Sequence, residues 1–370
     1  MKVPFYDSTR EYKNLKNEFD KAISDVVSSG AFILGKQVGD FEEQVKEYTG
    51  AKYSVGVANG SDALLIASDL LGYRNAKVLT PVFTFFASAS CIARLGGKPV
   101  FVDVDEDTFC MDMADAENRL TKDAKGIVPV HLFLQTVDMA ACMGLAKKYN
   151  LSVLEDAAEA FGMKTLYNGA NCHAGTIGDF GVFSFFPTKT LGGYGDGGMI
   201  ITNNEELYLL AKSYRTHGST KKYHHDYVGY NSRLDTLQAA ILQIKLAHID
   251  SAIQRRARHA AHYRDELSGL PAVKLPKIVE GNGEVNYVFC IQAEKRDELE
   301  NCLKEKEIGS SIYYPIPLHL QKCFEYLGYK KGDFPVAEKL CQTVISLPMF
   351  PELTEDEVGY VCDTIKAFYK

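Results

Sequence analysis

The chain has 370 residues, 46% of them hydrophobic and 24% charged, with a formal net charge of −7. That is room for two domains, or one large domain with an appended lobe, of ordinary globular composition, and the acidic balance argues against a nucleic-acid binder. No apolar run approaches the roughly 18 residues of a membrane span, and Met1-Lys2-Val3-Pro4-Phe5-Tyr6-Asp7 does not read as a signal peptide. Nine cysteines without a Cys-x-x-Cys pair give no support to a zinc or thioredoxin-like site, and free thiols in a reducing cytoplasm are expected.

Along the chain, Asn59-Gly60-Ser61-Asp62 precedes residues 63–71, where Leu64, Ala67 and Leu71 recur at helical spacing. A helix starting there turns free N–H groups, a hydroxyl and the positive end of its dipole outward, which suits a phosphate. A plain Asn or Ser N-cap is the other reading. Apolar β-rich runs at 77–80, 99–103, 126–130 and 152–154 alternate with helical patterns such as 87–95 and 139–149. That alternation predicts an α/β domain whose largely parallel sheet is covered on both faces. Asp156 ends the strand begun at Leu151, flanked by Glu155, Ala157, Ala158 and Glu159. It reads as a helix cap, a charge partner or a site carboxylate at a strand end, where open α/β sheets bind ligands.

The most informative segment follows. Phe183-Ser184-Phe185-Phe186-Pro187-Thr188-Lys189 runs into Leu191-Gly192-Gly193-Tyr194-Gly195-Asp196-Gly197-Gly198. Large apolar and glycine-rich neighbours predict a buried amine beside backbone that something else approaches closely. Desolvation predicts an amine titrating below its ordinary value of roughly 10.4, nucleophilic near neutral pH as Schiff-base chemistry requires. Gly193-x-Gly195-x-x-Gly198 formally matches the dinucleotide fingerprint, but an apolar β-like run, Met199-Ile200-Ile201-Thr202, follows it where a helix is needed. A P-loop is excluded because the glycines come after Lys189-Thr190.

From Asp235 a long amphipathic pattern (Leu237, Ile241, Ile244, Leu246, Ile249, Ile253) reaches Arg255-Arg256-Ala257-Arg258, expected as a solvated helix face. Beyond about residue 250 the chain looks α+β, with a polar loop at Glu280-Gly281-Asn282-Gly283 and a final helix ending at Lys370. The expected division is a large cofactor-binding domain, 1–250, and a small C-terminal domain, 251–370.

A carbonyl-binding lysine, an anion-binding helix start and a strand-end carboxylate are jointly what pyridoxal 5′-phosphate (PLP) requires. The ordered motifs carry a resemblance as well: Asn59-Gly60-Ser61-Asp62-Ala63-Leu64, Pro81-x-x-Thr84-Phe85, Glu155-Asp156-Ala157-Ala158, Ser184-Phe185-Phe186-Pro187-x-Lys189, Gly195-Asp196-Gly197-Gly198, Gly229-Tyr230-Asn231-Ser232-Arg233-Leu234-Asp235, Tyr314-Pro315-x-Pro317-Leu318-His319 and Ser346-Leu347-Pro348-Met349. On these the chain resembles the DegT family of nucleotide-sugar aminotransferases. The resemblance implies PLP fold type I, aspartate-aminotransferase-like: a mixed, mostly parallel sheet flanked by helices, plus a smaller α+β domain.

It further implies Lys189 as the Schiff-base lysine, Asp156 as partner of the pyridine nitrogen and Phe85 as the ring-stacking aromatic. Gly60, Ser61 and Ser184, with Asp62 beside them, match phosphate-holding positions. Asn231 matches a residue that reaches the cofactor phosphate of the neighbouring subunit, which implies a homodimer with shared sites. Arg233, Tyr313, Tyr314 and His319 fall at sugar-nucleotide positions. Glu159 stands near the cofactor's O3′ where relatives commonly carry glutamine, and Leu134 and Thr136 replace the usual Gly and Pro of His131-Leu132-Phe133-Leu134-Gln135-Thr136. The implied reaction moves an amine from L-glutamate to a nucleotide-linked ketosugar. Gly-Asp-Gly-Gly and Asn-Ser-Arg-Leu-Asp look more like enzymes acting at C3 than at C4. Tyr223-His224-His225 and Thr236-Leu237-Gln238 are similar to enzymes for UDP-2-acetamido-3-ketoglucuronate; dTDP-3-keto-6-deoxyhexose enzymes share much of the pattern. A C4 enzyme and a non-catalytic regulator or scaffold are the alternatives.

Overall fold

The computed structural model describes residues 1–279 and 281–370. A seven-stranded sheet carries the larger part: β1 Tyr53–Val57, β2 Lys77–Pro81, β3 Lys98–Val102, β4 Ala124–Ile127, β5 Ser152–Asp156, β6 Phe180–Ser184 and β7 Gly198–Thr202. Their order is β1-β7-β6-β5-β4-β2-β3. Strands β3, β2, β4, β5 and β6 pair in parallel, and β7 is antiparallel to both its neighbours.

These strands are buried on both faces, and the period-2 alternation of their side chains divides two cores. Phe180, Val182 and Ile200 pack with Leu64 and Ala67 of the helix Gly60–Leu70. Phe183, Phe185, Met199 and Ile201 pack on the opposite face with Phe41 and Val45 of Lys36–Thr49 and with Ala239 and Leu242 of Thr236–Ala247. The helix Met139–Tyr149 has the bounds its periodicity predicts.

The long pattern from Asp235 is two helices, Thr236–Ala247 and Ile249–Leu267, parted at His248. The basic run is likewise not wholly solvated. Arg256 is 2% exposed and donates through Nη1 to the carbonyls of Asn286, Tyr287 and Met349. A guanidinium offers five donors, so one buried arginine can tie together three segments distant in sequence.

After this helix come β8 Val273–Lys274, β9 Phe289–Ala293 and β10 Val344–Leu347, an antiparallel sheet in that order. Its core joins Phe289, Ile291, Ile345 and Leu347 to Leu299, Val358 and Ile365 of the helices Arg296–Glu305 and Glu355–Phe368. Val3 belongs to the same cluster and bridges Ile308, so the first residues pack on the C-terminal lobe. Glu280 of the expected polar loop lies outside the described residues. The nine cysteines are unpaired, and no described helix is long and apolar enough to cross a membrane.

Candidate active site

Register brings the predicted residues to one edge of the sheet. β5 ends at Asp156, which pairs with Val182 on β6; β6 ends two residues later at Ser184. Gly198 pairs with both Ser184 and Val57, so the ends of β1, β5 and β6 and the start of β7 are neighbours. This is the carboxyl edge of the parallel strands.

The helix Gly60–Leu70 begins at that edge. Its N-cap is Asn59, whose side chain accepts from the Asp62 N–H at 2.8 Å, so the capping reading holds for Asn59. The N–H groups of Gly60 and Ser61 precede the first intrahelical donor and stay available for an anion. Ser61 is exposed, Asp62 half-buried and Gly60 buried. A Cβ on Gly60 would lie 2.8 Å from Ser184 Cβ, and one on Gly198 would lie 2.5 Å from the Asn59 carbonyl. Only glycine lets strand and helix start meet so closely. The close approach predicted for the glycine-rich run is thus made by the chain itself. A Cβ on Gly192 would meet the Pro187 carbonyl, and Gln238 Oε1 accepts from the Tyr194 N–H at 2.8 Å.

Asp156 is buried. Ser88 Oγ donates to its Oδ2 at 2.7 Å and the Ala158 N–H to its Oδ1 at 3.2 Å. Burial pushes its carboxyl above the ordinary value, against the hydrogen bond from Ser88. Among the described residues no cation bonds it, so this carboxylate is suited to a cationic partner from outside. Ser88 lies on the helix Ala87–Arg94, just past Phe85. The Phe85 ring is 57% exposed, 6.4 Å from the ring of Tyr314.

Lys189 follows a turn in which its N–H donates to the Phe186 carbonyl. Its side chain is 14% exposed, and its Nζ donates to Glu159 Oε1 at 3.0 Å and sits 4.4 Å from the Tyr287 ring centre. The depressed amine expected from the sequence is corrected here. Burial alone would lower its pKa, but the Glu159 carboxylate, with Tyr287, outweighs burial and raises it. The second Glu159 oxygen accepts from the Phe133 N–H at 3.1 Å, so the loop with the unusual Leu134 and Thr136 supports this carboxylate. Tyr287, whose hydroxyl lies 3.2 Å from Thr188 Oγ1, escaped sequence reasoning, as did Ser88. Glu155, read in the sequence only as a neighbour of Asp156 within its motif, is fully buried. It accepts from His131 Nε2 and the N–H groups of Gly175, Ile177 and Gly178, and holds the loop leading into β6 against β5.

Tyr313 and Tyr314 join the aromatic group around Phe83 and Phe133. His319 does not join the site. Its imidazole is enclosed, within 3.0 Å of Glu338 through Nε2 and packed on Phe334. In the segment after Gly229, Ser232 points inward and accepts from the Ala58 N–H, while Asn231 is exposed and Arg233 half-buried. That loop is therefore anchored next to Asn59, with its outer side chains free to reach elsewhere. His224 and His225 lie on an exposed two-stranded turn.

The DegT/DnrJ/EryC1/StrS aminotransferase family model matches residues 13–366. The "pleiotropic regulatory protein" of Geobacillus stearothermophilus is 48% identical, over 100% of this chain and 99% of its own. The UDP-N-acetyl-3-dehydro-α-D-glucosamine 3-aminotransferase of Acidithiobacillus ferrooxidans is 40% identical, covering 98% of this chain and 97% of its own. Among solved structures, Streptomyces venezuelae DesV in complex with a ketimine intermediate superposes with TM-score 0.96 at 36% identity, over 100% of this chain and 99% of that one. The architecture is PLP fold type I, as the resemblance implies. With its sheet edge, lysine and helix start so arranged, the chain belongs to the DegT/DnrJ/EryC1/StrS aminotransferase family.

Proposed function

We propose that the chain is a PLP-dependent aminotransferase moving an amino group from L-glutamate to C3 of a nucleotide-linked ketosugar. It works as a cytoplasmic homodimer, with residues 1–250 as the cofactor domain and 251–370 as the small domain. One observation carries this reading: Lys189, the buried Asp156 and the free N–H groups of Gly60 and Ser61 beside Ser184 converge on one sheet edge. The residues fit the cofactor, since the N–H groups of Gly60 and Ser61 are left without an intrahelical acceptor beside Ser184, and Asp156 is a buried carboxylate bonded only by neutral donors.

When bound, PLP supplies a carbonyl for amines and a ring that accepts electrons from the carbon losing its proton. Lys189 would provide the attaching amine, and its Nζ would hold and move the proton. Asp156 would hold the ring nitrogen protonated through a charge-assisted bond worth roughly 1.5–3 kcal/mol. Gly60, Ser61 and Ser184 would hold the phosphate, with Asp62 on the same helix turn, and Phe85 would exclude water from the ring. Asn231 and Arg233 complete the site of a second copy of the chain, and Tyr313 and Tyr314 contact the sugar nucleotide.

The choice of C3 is supported by the name of the A. ferrooxidans relative. The name of the G. stearothermophilus relative favours a regulator as the second reading. An absorbance spectrum separates the two. The purified protein should show lysine-bound PLP that L-glutamate converts to the pyridoxamine form, and mass spectrometry should find aminated products from UDP- and dTDP-3-ketosugars. A protein that takes up no PLP sinks the enzyme reading.

A further inference from the structure

Glu159 has both oxygens engaged by groups that are themselves fixed. Oε1 accepts from Lys189 Nζ at 3.0 Å and Oε2 from the Phe133 N–H at 3.1 Å. Phe133 adopts φ of 59°, and its buried ring packs on Phe83, Phe109 and Tyr314, so its amide has little freedom to follow the carboxylate. The Tyr287 ring centre also lies 4.4 Å from the amine, and its hydroxyl is 3.2 Å from Thr188 Oγ1. The carboxylate and the aromatic ring both favour the charged amine.

We propose that Glu159 is a positioning residue that fixes Lys189 as a paired ammonium and thereby sets the pH at which its amine becomes free to react. The proposal rests on Lys189 being the amine that receives the cofactor. The ionisable groups facing the pair are Asp156 and Tyr287 around Lys189, and Asp156, Tyr313, Tyr314 and Cys290 around Glu159. All of these are acids, and among the described residues no second cation bonds the Glu159 carboxylate. Burial would depress the amine, and the pairing reverses that direction. A glutamine at 159 keeps an acceptor for the Phe133 N–H but removes the charge.

Only the uncharged amine attacks an acylating reagent, and each unit of pKa is tenfold in its fraction well below the midpoint. The full chain freed of cofactor is treated with trace acetic anhydride at a series of pH values, and Lys189 labelling is read by peptide mass spectrometry, with exposed Lys125 as internal standard. In the wild type the Lys189 profile should rise at higher pH than that of Lys125. In Glu159→Gln it should move down by at least a unit, giving about tenfold more labelling at neutral pH, while Glu159→Asp stays nearer the wild type. A wild-type Lys189 profile at or below that of Lys125 overturns the proposal even if the glutamine variant does not fold. So does an unmoved profile in folded Glu159→Gln. Borohydride trapping of added PLP tests the underlying reading separately: attachment at another lysine would remove that reading and leave the acylation result standing.

Discussion

Replacing Glu155 by glutamine tests whether the buried carboxylate next to Asp156 holds the site edge together. Oε1 accepts from the N–H groups of Ile177 and Gly178 at 2.7 and 2.5 Å, and Oε2 from Gly175 N–H and His131 Nε2, both at 2.9 Å. Nδ1 of His131 accepts from the Val137 N–H, so Nε2 is the donor and the ring cannot turn acceptor without losing that bond. Whichever way the amide is oriented, its NH2 faces two donors and leaves both unsatisfied. At about 1–3 kcal/mol for each orphaned donor, the loss should be ~3–5 kcal/mol, the range for breaking a buried charged network. Urea unfolding followed by far-UV circular dichroism measures it, and a change below ~0.5 kcal/mol would refute the reasoning, being within the usual effect of a surface substitution. The pH dependence checks the same point. Burial would raise the Glu155 carboxyl, but the bonds from His131, Gly178 and Gly175 outweigh burial and lower it. Its stabilisation is therefore fully present above the unfolded-state value of about 4.3 and is lost as pH falls through the folded value. Glu155→Gln should accordingly lose less stability than the wild type on acidification.

Three further outcomes test the proposed chemistry. Lys189→Ala should abolish glutamate-dependent turnover while leaving the circular dichroism spectrum unchanged, and arginine should not rescue it because guanidinium stays protonated; appreciable activity would remove the cofactor assignment. Asp156→Asn should bind PLP less tightly and lose roughly 30- to 150-fold in rate if the charge-assisted bond is worth ~2–3 kcal/mol in the transition state; wild-type kinetics would move the role to another carboxylate. Mixing an Asn231/Arg233 double mutant with Lys189→Ala should restore one working site per heterodimer, measured as recovered turnover, and verified heterodimers with no activity would mean the loop serves its own subunit.

Local signals read from the sequence were those that periodicity and punctuation carry. The helix Met139–Tyr149, strands β2, β3 and β5, the helix start at Gly60 and the strand following the glycine run appear where residue spacing puts them, whereas β4 spans Ala124–Ile127 in place of 126–130 and β1 lies outside the runs that spacing marks. Lys189, Asp156 and Gly60 could be nominated because each stands at an element boundary beside atypical neighbours. Their convergence on one edge, though, depends on register: β5 against β6, and Gly198 against both Ser184 and Val57.

Charge states and burial were decided only in three dimensions. Lys189 looked like a depressed amine because its sequence neighbours are apolar, yet Glu159, thirty positions away, reverses the shift. Arg256 looked solvated because it stands in a basic run, yet carbonyls as far off as Met349 bury it. His319 takes its enclosure from Glu338, nineteen positions on, and from Phe334. Secondary structure follows from interactions within a few residues, which a sequence displays directly. A buried polar side chain takes its state from whichever distant donor or acceptor the packing brings within about 3 Å, and that partner is chosen by the tertiary fold.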